Sequence, residues 1–287
     1  MIRLLCALCV LSGLSGQSLQ PPTLGLIHDP ATSSVRPIAG LPGAAHYAPP
    51  ILTGITSASI APTGESAIIT NETGLFIITG LKDQPTSTQL SLDPSPFQAA
   101  WSATSAILWT PAAGFLRYTR EGLATPFNPG LPPEAAVAAL DYDEAQQLAF
   151  ISAIPNGVYA YSFITGELNQ ILELAQPGSI THTGKTVYVV DRETHTIQTA
   201  NGPIPIDNVT GPITASKDGN RLYIAGPKLR IYNSATSNLQ EYDQPAQTLN
   251  RRNEIIQLTP THYLTDTPSP TIFWIPSVSS ESSAVKK

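Results

Sequence analysis

The stretch SKDGNRLYIAGPKLRIYNSATSNLQEY, Ser216 to Tyr242, reads as three short strands separated by turns. RLYIA is apolar and rich in β-branched and aromatic residues, Gly226–Pro227 breaks it, and KLRIYN resumes it before a polar third segment, NLQEY. Three such strands cannot bury both of their faces alone. The rest of the chain supplies the answer by repetition.

The same pairing of two strands recurs throughout. LGLIHD runs into SVRPIAG, SAIIT into GLFIITG, AILWT into GFLRYTR and LAFIS into GVYAYSFITG. VYVVD precedes HTIQTANG, and HYLTD precedes TIFWIPS. The first strand of each pair ends at Asp29, Thr70, Thr110, Ser152, Asp191, Ala225 and Asp266, a spacing close to 40 residues. A further short strand and a tight turn precede most pairs, as in SASIAPTGES and PITASKDGNR, and a polar strand follows, as in STQLSL. Four short strands per roughly 40 residues is the period of a β-propeller blade. Each blade hides its two apolar faces against its neighbours in a ring. The reading is all-β: a β-propeller of seven blades of four antiparallel strands, or six if the end units merge. The period is long for a β-helix coil and too even for a sandwich. The first unit lacks a clear innermost strand and the last an obvious outermost one. Residues such as Ser18 to Thr23 are therefore expected to complete the last blade, closing the ring with both termini.

The unit KDGNRLYIA…KLRIYNSATSNL, with KTVYVVDRETHTIQT before it, resembles the bacterial YVTN-type propeller repeats. There a DG turn leads into an aromatic and β-branched strand, and a second strand ends in an Asp/Asn-x-Ala-Thr turn. Most units here lack the Asp of that turn, and SAIIT and AILWT replace the namesake strand. The resemblance spans Pro22 to Ser277 as architecture. It implies a propeller and, because the family mixes surface-layer, adhesion, carrier and enzymatic roles, no single activity.

The chain opens MIRLLCALCVLSGLSGQSLQ, with Arg3 ahead of an apolar run from Leu4 to Leu14 and small residues up to Gly16. That order predicts a signal peptide over residues 1–16, too short to span a bilayer. A propeller domain is expected over 17–277 and a disordered polar tail over 278–287. Both cysteines, Cys6 and Cys9, fall in the leader, so the exported chain is expected to lack disulfides, thiolate nucleophiles and zinc–sulfur sites. Export to the periplasm or the exterior follows from the leader, with no membrane insertion after its cleavage. A monomer is expected.

Charged residues make up 13% of the chain, against about 25% in an average domain. The formal net charge is −6, and the basic residues are scattered. Without a basic stripe to neutralise phosphates, nucleic acid is not an expected partner. No cofactor is expected, since GLPGAA lacks the spacing and the lysine of a phosphate loop.

No catalytic or metal site is legible. The innermost strands carry only Asp141 and Glu254 as carboxylates, whereas calcium alone takes 6–8 oxygens. His182 and His195 lie in one unit but want a third ligand, and His28, His46 and His262 stand apart. The serines form no G-x-S-x-G elbow. Trp101, Trp109 and Trp274 are expected between blades. Asn71 and Asn208 head glycosylation-type triplets, which matter only in a eukaryotic secretory pathway.

The loops between second and third strands should emerge on one face. They bring His28, Asp29, Asn71, Glu72, Asn156, Asp191, Arg192, Glu193 and Asp266 to it as candidate binding residues, against the alternative that these groups only satisfy their own turns. The functional expectation is an exported non-catalytic propeller offering a loop-rich face to an unknown protein or glycan. The alternative is a hydrolase or lactonase-type enzyme with its site at the channel mouth.

Overall fold

The computed structural model describes residues 22–275 apart from 92, 120, 121, 123, 185, 253, 254, 268 and 269. The leader and the tail read from the sequence lie outside the described residues. All regular structure among those described is β, in seven four-stranded antiparallel sheets. Blade 1 holds β1 (Thr23–Asp29), β2 (Ser34–Ala39), β3 (His46–Tyr47) and β4 (Leu52–Thr53). Blade 2 holds β5 (Ser57–Ile60), β6 (Ser66–Asn71), β7 (Gly74–Thr79) and β8 (Thr86–Ser91). Blade 3 holds β9 (Gln98–Trp101), β10 (Ala106–Thr110), β11 (Gly114–Tyr118) and β12 (Ala124–Phe127). Blade 4 holds β13 (Ala136–Asp143), β14 (Leu148–Ile154), β15 (Gly157–Ser162) and β16 (Leu168–Leu172). Blade 5 holds β17 (Pro177–Thr183), β18 (Thr186–Asp191), β19 (Thr196–Thr199) and β20 (Gly202–Ile204). Blade 6 holds β21 (Ile213–Ala215), β22 (Arg221–Ile224), β23 (Leu229–Asn233) and β24 (Asn238–Tyr242). Blade 7 holds β25 (Asn250–Arg252), β26 (Ile255–Gln257), β27 (His262–Thr265) and β28 (Ile272–Trp274).

The second strands read as continuous apolar runs because alternate residues serve opposite neighbours. On β6, Ile68 packs toward blade 3 while Ala67 and Ile69 pack toward blade 1. On β18, Tyr188 and Val190 face blade 6 and Val189 faces blade 4. On β22, Leu222 and Ile224 face blade 5 and Tyr223 faces blade 7. Apolar clusters fill all seven seams in this way, so the core is a ring of interfaces. The seam between first and last blades is packed like the rest: Leu24, Ile27 and Ile38 meet Ile255, Tyr263, Phe273 and Ile275. Burying each such aliphatic side chain contributes about 1.5–3 kcal/mol.

The seams also carry polar stitches. The Trp101 indole donates to the Ser59 carbonyl (3.2 Å), and the Gln98 amide donates to the Val137 carbonyl (3.0 Å). Ser105 donates to Glu144 (2.5 Å), and the Ala215 N–H donates to the Thr181 hydroxyl (3.2 Å). At the closing seam the Tyr47 hydroxyl donates to the Pro260 carbonyl (2.7 Å) and lies 2.9 Å from the Tyr263 hydroxyl.

Both end units differ from the repeat in instructive ways. In blade 1, β3 and β4 share the outer edge of β2, and β1 has the place and direction of a second strand. The His28 ring lies 3.2 Å from the Ile55 carbonyl, just ahead of β5, so β1 ends where the innermost strand of blade 2 begins. The innermost strand missing from the sequence is thus missing among the described residues too. In blade 7 the outermost strand does exist. HYLT and IFW are its third and fourth strands, because Asn250 to Gln257 fold as a two-strand hairpin ahead of them. Strands of only three residues within RRNEIIQL hid the first strand and shifted the seventh unit by one position. The last sheet is therefore complete without the residues around Ser18–Thr23, and Thr23 belongs to β1.

Candidate functional site

The two rims differ in what they gather. The upper rim carries the turns between second and third strands, and the lower rim carries those between first and second and between third and fourth. His28, Asp29, Asn71, Glu72, Asn156, Asp191, Arg192 and Glu193 lie at the upper rim, on blades 1, 2, 4 and 5. Asp266 does not join them. It follows β27, a third strand, and so lies at the lower rim, where it accepts the Lys217 N–H (3.0 Å) from the first turn of blade 6.

Most of the polar groups at the upper rim are engaged locally. Asp29 accepts the Ala31 N–H (3.1 Å) and the Thr32 hydroxyl (2.7 Å), and pairs with Arg36 at 3.2 Å. Asn71 accepts the Thr73 N–H and hydroxyl, both at 2.8 Å. Asp191 is buried and takes the Glu193 N–H (3.0 Å) and the Thr194 hydroxyl (2.6 Å). Asn156 donates to Glu134 at 3.2 Å. These are turns in which Asp and Asn side chains replace a missing backbone partner. Glu72, Arg192 and Glu193 project into solvent. The eight residues ring the rim without converging on one point.

Asp266 is the most enclosed carboxylate of the set, with its side chain 1% exposed. Besides Lys217 it accepts the Tyr223 hydroxyl (2.8 Å) and faces the Arg221 guanidinium at 3.4 Å. Arg221 also donates to the Thr267 carbonyl. Burial, reinforced by the Asp266 charge, pushes the Tyr223 phenol far above its ordinary value. This is a seam lock between blades 6 and 7.

One cluster went unread in the sequence. Asp141 and Asp143, two apart on β13, share a face of that strand, and His182 on β17 reaches across the seam between blades 4 and 5. Its Nδ1 lies 2.6 Å from Asp141 Oδ2, and its Nε2 lies 3.6 Å from Asp143 Oδ2. Phe150 packs beside the imidazole, with ring centroids 5.3 Å apart. Asp143 also holds the Gln146 N–H (3.0 Å) and side-chain amide (2.7 Å). The signal was available in the alternation of ALDYD. The partner on another blade was not. His195, by contrast, lies at the opposite end of blade 5, in the turn at the upper rim.

The trio lines the wall of a central channel of about 870 Å³, which is otherwise walled by residues such as Ser59, Ala99, Ala139, Ser179 and Thr214. Small residues dominate because the innermost strands converge there. Asp141 holds the Nδ1 side of the ring by a hydrogen bond, while Nε2 stands 3.6 Å from Asp143, beyond hydrogen-bond reach. Among the described residues no group of three or more His, Cys, Asp or Glu is arranged to hold a metal ion. Glu254, the other carboxylate read onto an innermost strand, lies outside the described residues. Trp101 and Trp109 pack at seams, whereas Trp274, on the outermost strand of blade 7, is 58% exposed.

No protein-family model matches the chain, and no curated protein does. Among solved structures it is similar to PorZ, described as an essential bacterial surface component of the type-IX secretion system of Porphyromonas gingivalis. The TM-score is 0.63 at 11% identity, over 90% of this chain and 38% of that one. The chain therefore spans under two-fifths of PorZ, and the likeness is one of fold.

Proposed function

We propose that the chain is an exported, non-catalytic propeller that presents its upper rim to a protein or glycan partner. The observation that carries this reading is how the acids and histidines are spent. The trio at the channel wall is tied into a seam, and Asp266 into another, while Glu72, Arg192 and Glu193 stand exposed on turns held rigid by their neighbours. Side chains displayed on stiff turns lose little freedom on binding, which favours recognition. The fold-level similarity to a bacterial surface component agrees with an exported scaffold.

The competing reading, hydrolysis at the channel mouth, draws on Asp141, Asp143 and His182 beside a channel of adequate volume. Two measurements separate the readings. On a glycan array, wild type should bind a ligand class that the triple change Glu72→Lys, Arg192→Glu, Glu193→Lys abolishes and His182→Ala spares. On simple esters and lactones, wild type and His182→Ala should turn over at the same background rate. Turnover that falls at least a hundredfold in His182→Ala would replace the scaffold with an enzyme.

A further inference from the structure

The arginines divide by what their guanidinium groups hold. Arg36 pairs with Asp29 and donates to the Ala48 carbonyl, and Arg117 donates to Tyr142 and Gln147. Arg221 serves the lock with Asp266, and Arg230 donates to the Asp207 and Asn208 carbonyls. Arg192 has no such duty: among the described residues its guanidinium makes neither an ion pair nor a hydrogen bond. Its side chain lies back across Gly178 on β17, where a Cβ would come 2.8 Å from its Nε and 3.2 Å from its Cγ. Pro177 pairs with Asp191, so this crossing is at the upper end of the innermost strand of blade 5.

There Arg192 borders a cleft of about 460 Å³ at the upper mouth of the channel, a volume that suits a small ligand. Among the described residues Arg192 is the one charge on its wall. Two of the innermost strands that border the cleft are bulged at this level, β13 at Ala138 and β17 at Gly178–Ser179. Bulges gather beside sites because they re-aim side chains. We propose that this mouth binds the carboxylate of an acidic sugar, with Arg192 as its charge partner and Gly178 as the residue that lets the guanidinium lie there. The assignment rests on the upper-rim reading above and names the chemistry of its ligand. A guanidinium meets a carboxylate with two parallel N–H donors, a match that a lone ammonium lacks. The rest of the wall fits a hydroxyl-rich ring: Gln98 and Thr210 bring neutral polar groups, and Ala99, Ala138, Ala139 and Gly211 leave room.

Nitrogen–proton correlation spectra of the full chain test this, with trigalacturonate as the probe and its fully methyl-esterified form as the uncharged counterpart. In wild type the acid should shift the Arg192 side-chain Nε–H resonance and the Gly178 and Gly211 amides, and the ester should leave them in place. Arg192→Gln should bind the acid about tenfold or more weakly. Gly178→Ala should weaken it as well, with the amides of blades 1 to 3 unmoved, because the added methyl meets the arginine side chain and the backbone there needs no left-handed φ. Lys82→Gln, which removes a half-exposed cation elsewhere on the molecule, should bind as wild type does. Equal shifts with acid and ester, no shifts, or shifts that survive Arg192→Gln would each overturn the assignment. So would a tripeptide with a free C-terminal carboxylate that binds where the sugar acid does not. The upper-rim reading fails on a different result, a triple variant that keeps every ligand wild type has on the glycan array.

Discussion

Asp266 shows how a residue that looks like a binding group becomes structural once its position in a blade is known. It sits between Lys217, Arg221 and Tyr223, and removing its carboxylate leaves the largely buried Arg221 guanidinium with the half-exposed Asp218 carboxylate at 3.9 Å in place of its closer, buried partner. Asp266→Ala should destabilise the chain by about 3 kcal/mol or more, read as a lower urea midpoint, whereas Glu72→Ala should lie within about 0.5 kcal/mol of wild type. Equal effects would show that the lock between blades 6 and 7 contributes nothing. Tyr263 gives a test at the closing seam. Burial, then the hydrogen bond with Tyr47, pushes its phenol above the ordinary value near 10. A folded-state value above the unfolded one means the stabilisation is full below about pH 10 and is lost as pH rises through that region. Unfolding free energy should therefore fall above pH 10, and less steeply in Tyr263→Phe than in wild type. Parallel curves would contradict the assignment.

Hairpins are where the elements carry their backbone constraints. Gly157 opens β15 with φ +117°, and a Cβ there would lie 2.1 Å from the Leu172 carbonyl oxygen on β16. Gly114 opens β11 with φ +70° but has nothing within 4 Å of the same position. Gly114→Ala should therefore cost only the conformational penalty of about 1–2 kcal/mol, while Gly157→Ala should cost clearly more, since backbone must move. Denaturation midpoints for the two variants decide it; equal losses would sink the contact argument. The elements were also where the sequence was most legible. Second strands announced themselves as apolar runs because both faces are buried, and the Asx-type turns at Asp29, Asn71 and Asp191 marked their ends. What escaped was the hairpin Asn250 to Gln257, whose two strands of three residues fall below any readable periodicity. That miss moved Asp266 onto the wrong rim. The trio Asp141, Asp143 and His182 escaped for a different reason: its carboxylates and its imidazole lie on neighbouring blades, and a pairing across about 40 residues leaves no local pattern.

At the scale of the whole molecule, stability and presentation come from the same construction. Each blade exposes two apolar faces that only neighbours can cover, so the ring is as strong as its weakest seam. Six seams join consecutive blades, and the seventh joins β1 and β2 to β26, β27 and β28 across almost the full length of the chain. A closed ring holds the upper-rim turns at fixed separations, which is what the proposed binding role needs, and leaves the channel wall packed with small residues. The seventh seam is therefore the feature on which fold and function both rest. Methyl–methyl nuclear Overhauser measurements on protein labelled at isoleucine, leucine and valine probe it without perturbing it. A closed ring predicts cross-peaks linking Leu24 and Ile27 with Ile255 and Ile275, as strong as those linking Val190 with Ile224 at the seam between blades 5 and 6. Strong peaks at the six consecutive seams with none between first and last blades would contradict it, leaving an open arc of sheets instead of a propeller.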